Sequence, residues 1–189
     1  MTSTDGDTNR DMIDVLTADH REVENLTDQI TATVDPEERR DLADQLIAEL
    51  VRHSVAEEMY VYPAMRDHLP NGEQAVEHDI QEHKELETLM KQLEGADTDS
   101  AEFEDVLGNL RQALLDHVQD EETTQFPQLR AHVPAATLVE LKEKVELAKK
   151  VAPTRPHPAA PNAELFHKLV GPGVGLVDRL RDRLTGRST

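Results

Sequence analysis

The segment HSVAEEMYVYPAMRDHLP, residues 53–70, is the most informative part of the chain, because its pattern returns 64 residues later. The second copy is HVQDEETTQFPQLRAHVP, residues 117–134. Both copies contain a histidine, a glutamate four residues on (Glu57 or Glu121) and then an aromatic–proline pair. Residues four apart lie about 40° from each other on an α-helix. The repeat therefore predicts two helices that each carry a His–Glu pair on one face.

The helices that precede these two segments are also related to each other. The sequence DHREVENLTDQI, residues 19–30, aligns with EHKELETLMKQL, residues 82–93, and the alignment places His20 opposite His83. Apolar residues recur every three or four positions in both segments, as in an amphipathic helix. The chain thus contains a helical hairpin written twice. With short linkers, two such hairpins predict an all-α fold, an antiparallel up-down-up-down four-helix bundle with a pseudo-two-fold axis.

Capping residues and helix breakers indicate where the four helices begin and end. The first helix is predicted from about residue 11 to 32. The second begins at Asp35, which precedes a proline and can cap the helix. The third is predicted from about residue 73 to 94 and stops at Gly95, and the fourth begins near Ser100.

Three regions are predicted along the chain. Residues 11–134 form the bundle, in which Tyr62–Pro63 and Phe126–Pro127 are expected to kink or end their helices. Residues 135–151 have the apolar spacing of one additional helix. Residues 152–189 begin as a proline-rich linker and end in a short amphipathic segment. We expect the bundle to fold and to bind metal without this last region.

Composition restricts the chemistry and the surroundings of the protein. The 189-residue chain has no cysteine, so any metal must be held by nitrogen and oxygen ligands. Residues 1–149 carry 13 Lys/Arg and 36 Asp/Glu, a net charge of −23, whereas residues 150–189 carry +4. The acidic body disfavours nucleic acid as a partner. The polar N-terminus has no signal-peptide pattern, and no apolar run reaches the roughly 20 residues of a membrane span, so we expect a cytoplasmic protein without a membrane partner.

The helical stripes that should be apolar carry six polar residues instead. Buried carboxylates without partners cost several kcal/mol each, and two cations would satisfy all six residues at once. If both glutamates bridge, each metal receives two oxygens and two imidazole nitrogens, and an oxo or hydroxo bridge with one open position completes the coordination. Mixed imidazole and carboxylate ligation suits iron or manganese, and imidazole also suits zinc. The candidate metal ligands are His20, His53, Glu57, His83, His117 and Glu121.

A single His–Glu pair at this spacing is an ordinary surface feature of helices. Here both copies fall on core-facing stripes, and they are in register with single histidines on the other two helices. Because buried charge needs a partner, the combination favours a metal site over a set of surface ion pairs.

The combined pattern H…HxxxE…H…HxxxE resembles the hemerythrin family, in particular the bacterial hemerythrin-like HHE cation-binding domains. The resemblance covers about residues 11–134. It implies a four-helix bundle with a non-heme di-iron centre, in which Glu57 and Glu121 bridge the irons and the four histidines are further ligands. It also implies that Leu114, one helical turn before His117, forms part of the wall of an oxygen pocket.

The third helix departs from oxygen-carrying hemerythrins, which place two histidines four residues apart there. Four residues before His83 this chain has Asp79, which we predict to be an extra ligand or a hydrogen-bond acceptor beside a ligand. His78 lies about 140° round the helix from His83 and is expected to be solvated, and Glu58 and Glu122 are expected on a solvated edge. The loss of one nitrogen ligand would open a coordination position. That change disfavours simple oxygen carriage and favours peroxide or nitric oxide chemistry.

Three functions remain open from the sequence. The favoured function is a binding protein whose di-iron centre takes O2, NO or peroxide, for sensing, buffering or the handling of iron and oxidative stress. The second is a di-iron oxidoreductase on the same scaffold that acts on peroxide, NO or Fe(II). The third is a metal-free helical interaction module. The ligand types do not separate iron from manganese or zinc, and the sequence indicates no particular protein partner.

Overall fold

The computed structural model describes residues 10–156, and this part of the chain is helical without strands. In chain order the elements are α1 (Met12–Ala32), α2 (Pro36–Ala56), the π-turn π1 (Glu57–Val61), α3 (Tyr62–His68), α4 (Gly72–Gly95), α5 (Ala101–Asp120), the π-turn π2 (Glu121–Gln125), α6 (Phe126–His132) and α7 (Ala135–Val151). Because π1 joins α2 to α3 and π2 joins α5 to α6, these elements form four bundle helices and one added helix. The predicted all-α bundle is therefore confirmed.

Side-chain caps begin three of the helices. Asp11 and Asp14 form a reciprocal pair at the start of α1, in which each carboxylate accepts the other residue's backbone N–H at 3.0 and 2.9 Å. Asp35 and Ser100 cap α2 and α5 as predicted, each accepting the backbone N–H three residues on. The caps fix where each helix starts, and so they fix which residues of the repeat face the interior.

Neither aromatic–proline pair ends its helix. A π-turn begins at Glu57 and another at Glu121, and the helices then continue to His68 and His132. In the first π-turn the N–H of Tyr62 bonds the carbonyl of Glu57, five residues back. Proline has no N–H, and in a regular α-helix its ring would clash with the carbonyl four residues earlier. The wider turn removes that conflict, and such turns are frequent at functional sites.

The hydrophobic core consists of two clusters with a polar layer between them. On α1, Leu16 belongs to the first cluster and Val23 to the second, with His20 between them. The same change of cluster occurs on α4, where Val76 and Leu86 lie on either side of His83. The predicted ligands therefore occupy one cross-section of the bundle, with apolar packing above and below it.

The helix α7 covers the first cluster and packs against α1 and α2. Lys149, in its last turn, forms an ion pair with Asp19, the residue before His20. The added helix thus reaches the surroundings of the polar layer as well as the core. Its buried face consists of Leu138, Leu141, Val145 and Ala148.

The start of the proline-rich region lies on the bundle. Thr154 is buried, and Arg155 Nη1 lies 2.8 Å from Glu94 Oε1 in α4. The rest of that region, including the predicted amphipathic segment, falls outside the described residues. Among residues 10–156, no helix combines the length and the apolar character needed to cross a membrane.

Candidate metal centre

All six predicted ligands lie in the polar layer, and each is at most 5% exposed. Their histidines form two pairs. The rings of His20 and His53 have centroids 4.9 Å apart at an interplanar angle of 64°, and those of His83 and His117 are 5.0 Å apart at 66°. The near-equal geometry shows that the pseudo-two-fold relation read from the sequence extends to the side chains of the site.

The side chains form two groups in which one nitrogen or oxygen atom from each residue lies within 4.8 Å of those of the others. We call them the first group (His20, His53, Glu57 and Glu121) and the second group (Glu57, His83 and His117). Each group therefore contains one histidine pair.

The two glutamates connect the groups. Glu57 Oε2 lies 3.2 Å from His53 Nε2 and 3.4 Å from His83 Nε2, so this carboxylate belongs to both groups. Glu121 Oε2 is 3.0 Å from His20 Nε2 and 3.7 Å from His117 Nε2, and it therefore faces both pairs while lying closer to the first. This arrangement is the one expected of two carboxylates that bridge two metal ions.

Six inward-facing atoms lack hydrogen-bond partners among the described residues, although they lie close together. The inner nitrogen of His83 differs, because the hydroxyl of Tyr62 lies 3.3 Å from His83 Nε2. His20 Nε2 and Glu121 Oε2, at 3.0 Å, are near enough for an ion pair but are not aligned for a hydrogen bond. A buried polar atom without a partner is costly, and lone pairs that converge without bonding each other are satisfied by cations. The donors suit iron, manganese or zinc, so the residues fit a two-metal centre. The unpartnered atoms are His20 Nε2, His53 Nε2, His117 Nε2, both carboxylate oxygens of Glu57, and Glu121 Oε2.

Each histidine also presents its outer ring nitrogen, Nδ1, to a carboxylate. Two of these contacts are 2.8 Å long and two are longer, at 3.4 and 3.5 Å. A carboxylate on the outer nitrogen orients the ring and makes the inner nitrogen a stronger metal ligand. The four contacts are His20 with Glu122, His117 with Glu82, His53 with Asp19, and His83 with Glu58.

Two of these carboxylates were expected on a solvated edge, and that expectation was wrong. The side chains of Glu58 and Glu122 are only 24% and 23% exposed, and they contact histidines of the opposite hairpin. The other two, Asp19 and Glu82, went unnoticed in the sequence. Their position in the sequence could have identified them, because each of the four carboxylates directly precedes or follows a predicted ligand, at matching positions of the repeat.

The first histidine pair is surrounded by permanent cations. Arg21 forms an ion pair with Glu122, the carboxylate that accepts from His20. Lys149 does the same with Asp19, the carboxylate that contacts His53. Both outer carboxylates on this side are therefore paired with a side chain that is a cation at physiological pH.

The second histidine pair has different surroundings. Here Glu82 is held by His78 at 3.3 Å, and His78 is 61% exposed, as predicted. The hydroxyl of Tyr62 lies 2.9 Å from His83 Nδ1, whereas the matching residue of the other copy is Phe126, which stacks on His20. The two halves thus share their predicted ligands but differ in what surrounds them.

Asp79 is fully buried, but it does not belong to either group of candidate ligands. Its Oδ1 accepts a hydrogen bond of 2.7 Å from Gln125 Nε2. Burial raises the pKa of Asp79 to about 7, against the hydrogen bond from Gln125. Leu114, the predicted pocket wall, is 3% exposed and packs in the second core cluster, one turn from His117.

The sequence profile of the hemerythrin HHE cation-binding domain matches residues 11–129, more than half of the chain. The chain belongs to the hemerythrin HHE cation-binding domain family. An uncharacterized hemerythrin-like protein of Schizosaccharomyces pombe is 29% identical over 172 residues, which cover 90% of this chain and 85% of the relative. A solved hemerythrin HHE cation-binding domain-containing protein from Mycobacterium kansasii has a TM-score of 0.65 and 25% identity, over 75% of this chain and 86% of that one.

A second curated relative of this hemerythrin domain is a DNA nickase from a Nostoc species. It is 28% identical over 136 residues, or 72% of this chain. The match spans only 38% of the nickase, so most of that protein has no counterpart in the alignment.

In the metal-free hemerythrin domain, the histidines and glutamates of the polar layer shift each other's pKa values because they lie close together. Burial opposes charge on the imidazoles, but the carboxylate of Glu57 raises the pKa of His53 well above its usual range. Glu57 and Glu58 likewise raise the pKa of His83 to about 10 against its burial. In turn, the histidines hold the pKa of Glu57 well below its usual range, although its burial acts in the other direction. Without metal, therefore, protons on His53 and His83 balance the charge of Glu57.

Removing an outer carboxylate of the hemerythrin domain should weaken metal binding without abolishing it. We expect Glu122→Ala to lower the affinity for Zn(II) by about 10- to 100-fold, because His20 loses the group that orients its ring. Competition with a chromophoric chelator measures this. Glu73→Ala, at an ion-paired but 76% exposed side chain, is the matched control and should bind as the wild type does. Equal affinities for Glu122→Ala and Glu73→Ala would contradict the role assigned to Glu122.

Proposed function

We propose that this chain is a non-heme di-iron protein that binds a small ligand, O2, NO or peroxide, at an open metal position. It serves in sensing, buffering or the handling of iron and oxidative stress, and it acts in the cytoplasm. The proposal is supported by the sharing of Glu57 between the two histidine pairs and by the inward atoms of His20, His53, His117 and the two glutamates, which lack hydrogen-bond partners within residues 10–156. One metal ion would not contact all of these atoms, and two ions with a common carboxylate would.

The first group would hold one iron through His20 and His53, and the second group would hold the other through His83 and His117. Glu57 and Glu121 would bridge the two. Bound iron supplies a site that takes small ligands and can change its redox state. The protein supplies the fixed ring orientations and a layer closed to bulk water, because every residue of both groups is at most 5% exposed.

The second group supports an open position on its own side. It brings together three ligand residues, whereas the first group brings together four. Asp79, which stands four residues before His83, uses Oδ1 to accept from Gln125. Glu121 Oε2 also lies further from His117 Nε2, at 3.7 Å, than from His20 Nε2, at 3.0 Å. An iron held by His83 and His117 would therefore be less closely surrounded and have more room for an added small molecule.

An oxidoreductase acting on peroxide, NO or Fe(II) is the second candidate. The observation in its favour is the set of polar side chains beside the second group: Tyr62, Asp79 and Gln125 are all buried and able to hydrogen-bond. The first group has Phe126, Leu16 and Val61 in the matching places. Groups that hydrogen-bond to a bound ligand assist its reaction, whereas reversible binding of the ligand depends on them less.

A role in DNA cleavage, as in the nickase relative, is not part of this proposal. The acidic body, at −23 over residues 1–149, would repel phosphates.

Binding and turnover are separated by adding hydrogen peroxide and NO to the iron-loaded protein. A binding protein should give a saturable change in its visible spectrum, with a stoichiometry of about one ligand per two irons. An oxidoreductase should continue to consume peroxide or NO after that stoichiometry is passed. If neither molecule alters the spectrum or is consumed, the proposed function is wrong.

A further inference from the structure

The two hairpins differ in the layer next to the candidate ligands. In the first hairpin, Leu16 lies one turn from His20, and Val61 lies one turn from Glu57. The matching residues of the second hairpin are Asp79 and Gln125. All four are buried, with exposures of 0%, 1%, 0% and 3% in that order. The first hairpin shows that two apolar side chains can fill this layer, so packing alone does not require the polar pair.

The polar pair contains two acceptor atoms without hydrogen-bond partners among the described residues. Gln125 Nε2 donates to Asp79 Oδ1 at 2.7 Å and to Asp120 Oδ2 at 3.2 Å. Because the amide nitrogen lies between two carboxylates, the other amide atom is Oε1, an acceptor. Asp79 Oδ2 and Gln125 Oε1 are both buried and unpartnered. A buried acceptor without a partner destabilises the fold, so a molecule that donates hydrogen bonds would be held here.

A surface cavity reaches one member of this pair, Gln125. It has a volume of about 300 Å³ and lies between the α3–α4 turn and π2, and Leu69, Ala75 and His78 are among its lining residues. Asp120 and Gln125 also form part of its wall. The side chain of Gln125 therefore connects the cavity wall to Asp79 in the layer beside the second group.

We propose that this cavity is the entrance for the small ligand and that Gln125 and Asp79 form a passage selective for hydrogen-bond donors. This inference rests on the proposed function and deepens it. Of the three ligands considered, hydrogen peroxide has O–H groups to donate to the two unpartnered acceptors, and O2 and NO have none. The carboxylate of Asp120 and the ionised fraction of Asp79 disfavour anions along the same route. The hydrogen-bonding character of the passage therefore makes peroxide the preferred ligand.

The passage can be removed by giving the second hairpin the residues of the first. The double variant Asp79→Leu, Gln125→Val copies the Leu16 and Val61 layer and removes both unpartnered acceptors. The probes are hydrogen peroxide and NO, mixed separately with reduced, iron-loaded protein in a stopped-flow instrument. In the peroxide reaction each H2O2 takes one electron from each Fe(II) and two protons, and it leaves as two waters.

We expect the double variant to keep the iron content and the NO association rate of the wild type. Its peroxide rate should fall by about tenfold or more, as the loss of a buried hydrogen bond predicts. Unchanged peroxide and NO rates would overturn the passage while leaving the proposed function intact. Loss of iron from the double variant would overturn it too, because Asp79 would then be a ligand. If wild-type protein responds to neither probe, the proposed function itself fails.

A second pair of variants tests the entrance without touching the buried layer. Ala75→Phe places a ring in the cavity, and Ala113→Phe makes the same change in a cavity of about 400 Å³ between α4 and α5. Ala75→Phe should slow peroxide by at least about tenfold, and Ala113→Phe should not, because only the first lies on the route. Uptake of Co(II) by metal-free protein, followed by its visible absorbance, gives a second readout and should be slowed by the same variant. Equal rates for the two variants would show that the ligand enters elsewhere.

Discussion

Glu57→Gln should reduce bound iron from about two ions per chain to almost none, the largest single-residue effect that we expect. The substitution keeps the size of the side chain but removes the charge that both groups share. His53 and His83 each lose the carboxylate that faces their inner nitrogen. Metal analysis after purification in air measures the loss, and the far-ultraviolet circular dichroism should still show a helical bundle.

Three further variants serve as comparisons for Glu57→Gln, one at the other glutamate and two at exposed residues. Glu121→Gln should also lose iron, and the remaining metal should sit with the second group, from which Glu121 lies further. Glu73→Gln, on the surface, should keep the full complement. His68→Ala should also keep it, because His68 is an exposed histidine at the end of α3. A Glu57→Gln protein with two irons per chain would show that the ligand assignment is wrong.

Metal affinity should rise continuously with pH from about 5 to 9, the second large effect that we expect. In the metal-free protein the pKa of His83 is raised to about 10 and that of His53 well above its usual range, so protons occupy these two imidazoles at neutral pH. The pKa of His117 is raised as well, because Glu121 and Glu82 outweigh its burial. The resulting ion pairs contribute folding stability below the ordinary histidine pKa of about 6.5, and that stability is lost as pH rises through about 10, the pKa of His83.

Metal binding has the opposite dependence on pH, because a ligand imidazole must be neutral. The metal displaces protons, so its apparent affinity should change about tenfold per pH unit for each proton released. Zn(II) binding by chelator competition at several pH values measures the slope. The Glu57→Gln variant should release no protons when Zn(II) is added. An affinity that levels off above pH 7 would contradict the raised pKa of His83.

The bundle and the six inward residues were predictable because both depend on one local quantity, the angle between residues on a helix. A histidine and a glutamate four apart face the same way in any helix, and the repeat showed that all four helices contribute to one layer. The structure brings His20, His53, Glu57, His83, His117 and Glu121 together there. Their role as metal ligands remains a prediction.

The surroundings of the layer were not predictable in the same way. Glu58 and Glu122 lie about 100° from the neighbouring inward glutamates, so helical periodicity alone puts them on an edge. Whether an edge residue meets solvent or a partner depends on how the hairpins pack. Here Glu122 reaches His20 across the bundle, and Glu58 reaches His83. The lysine at position 149 in α7 was equally hidden, because its partner Asp19 is 130 residues away in sequence.

The π-turns and the Asp79–Gln125 pair are two further features that the sequence signalled only in part. Each proline that suggested an end to a helix instead marks a π-turn, because a wider turn removes the clash of the ring with the preceding carbonyl. Gln125 differs from Val61 in the aligned copies, and that difference was visible before the fold was known. Its consequence became clear only from the cavity beside it.

The most direct test of a di-iron centre is metal analysis of the full-length protein purified in air, together with its visible spectrum. We expect about two irons per chain and an absorption band from charge transfer between oxygen and iron. The Glu57→Gln protein, purified in parallel, should be colourless. Wild-type protein that contains only zinc would contradict a di-iron centre. Wild-type protein with no metal and no stability change with chelator would also contradict it and would favour a metal-free helical module.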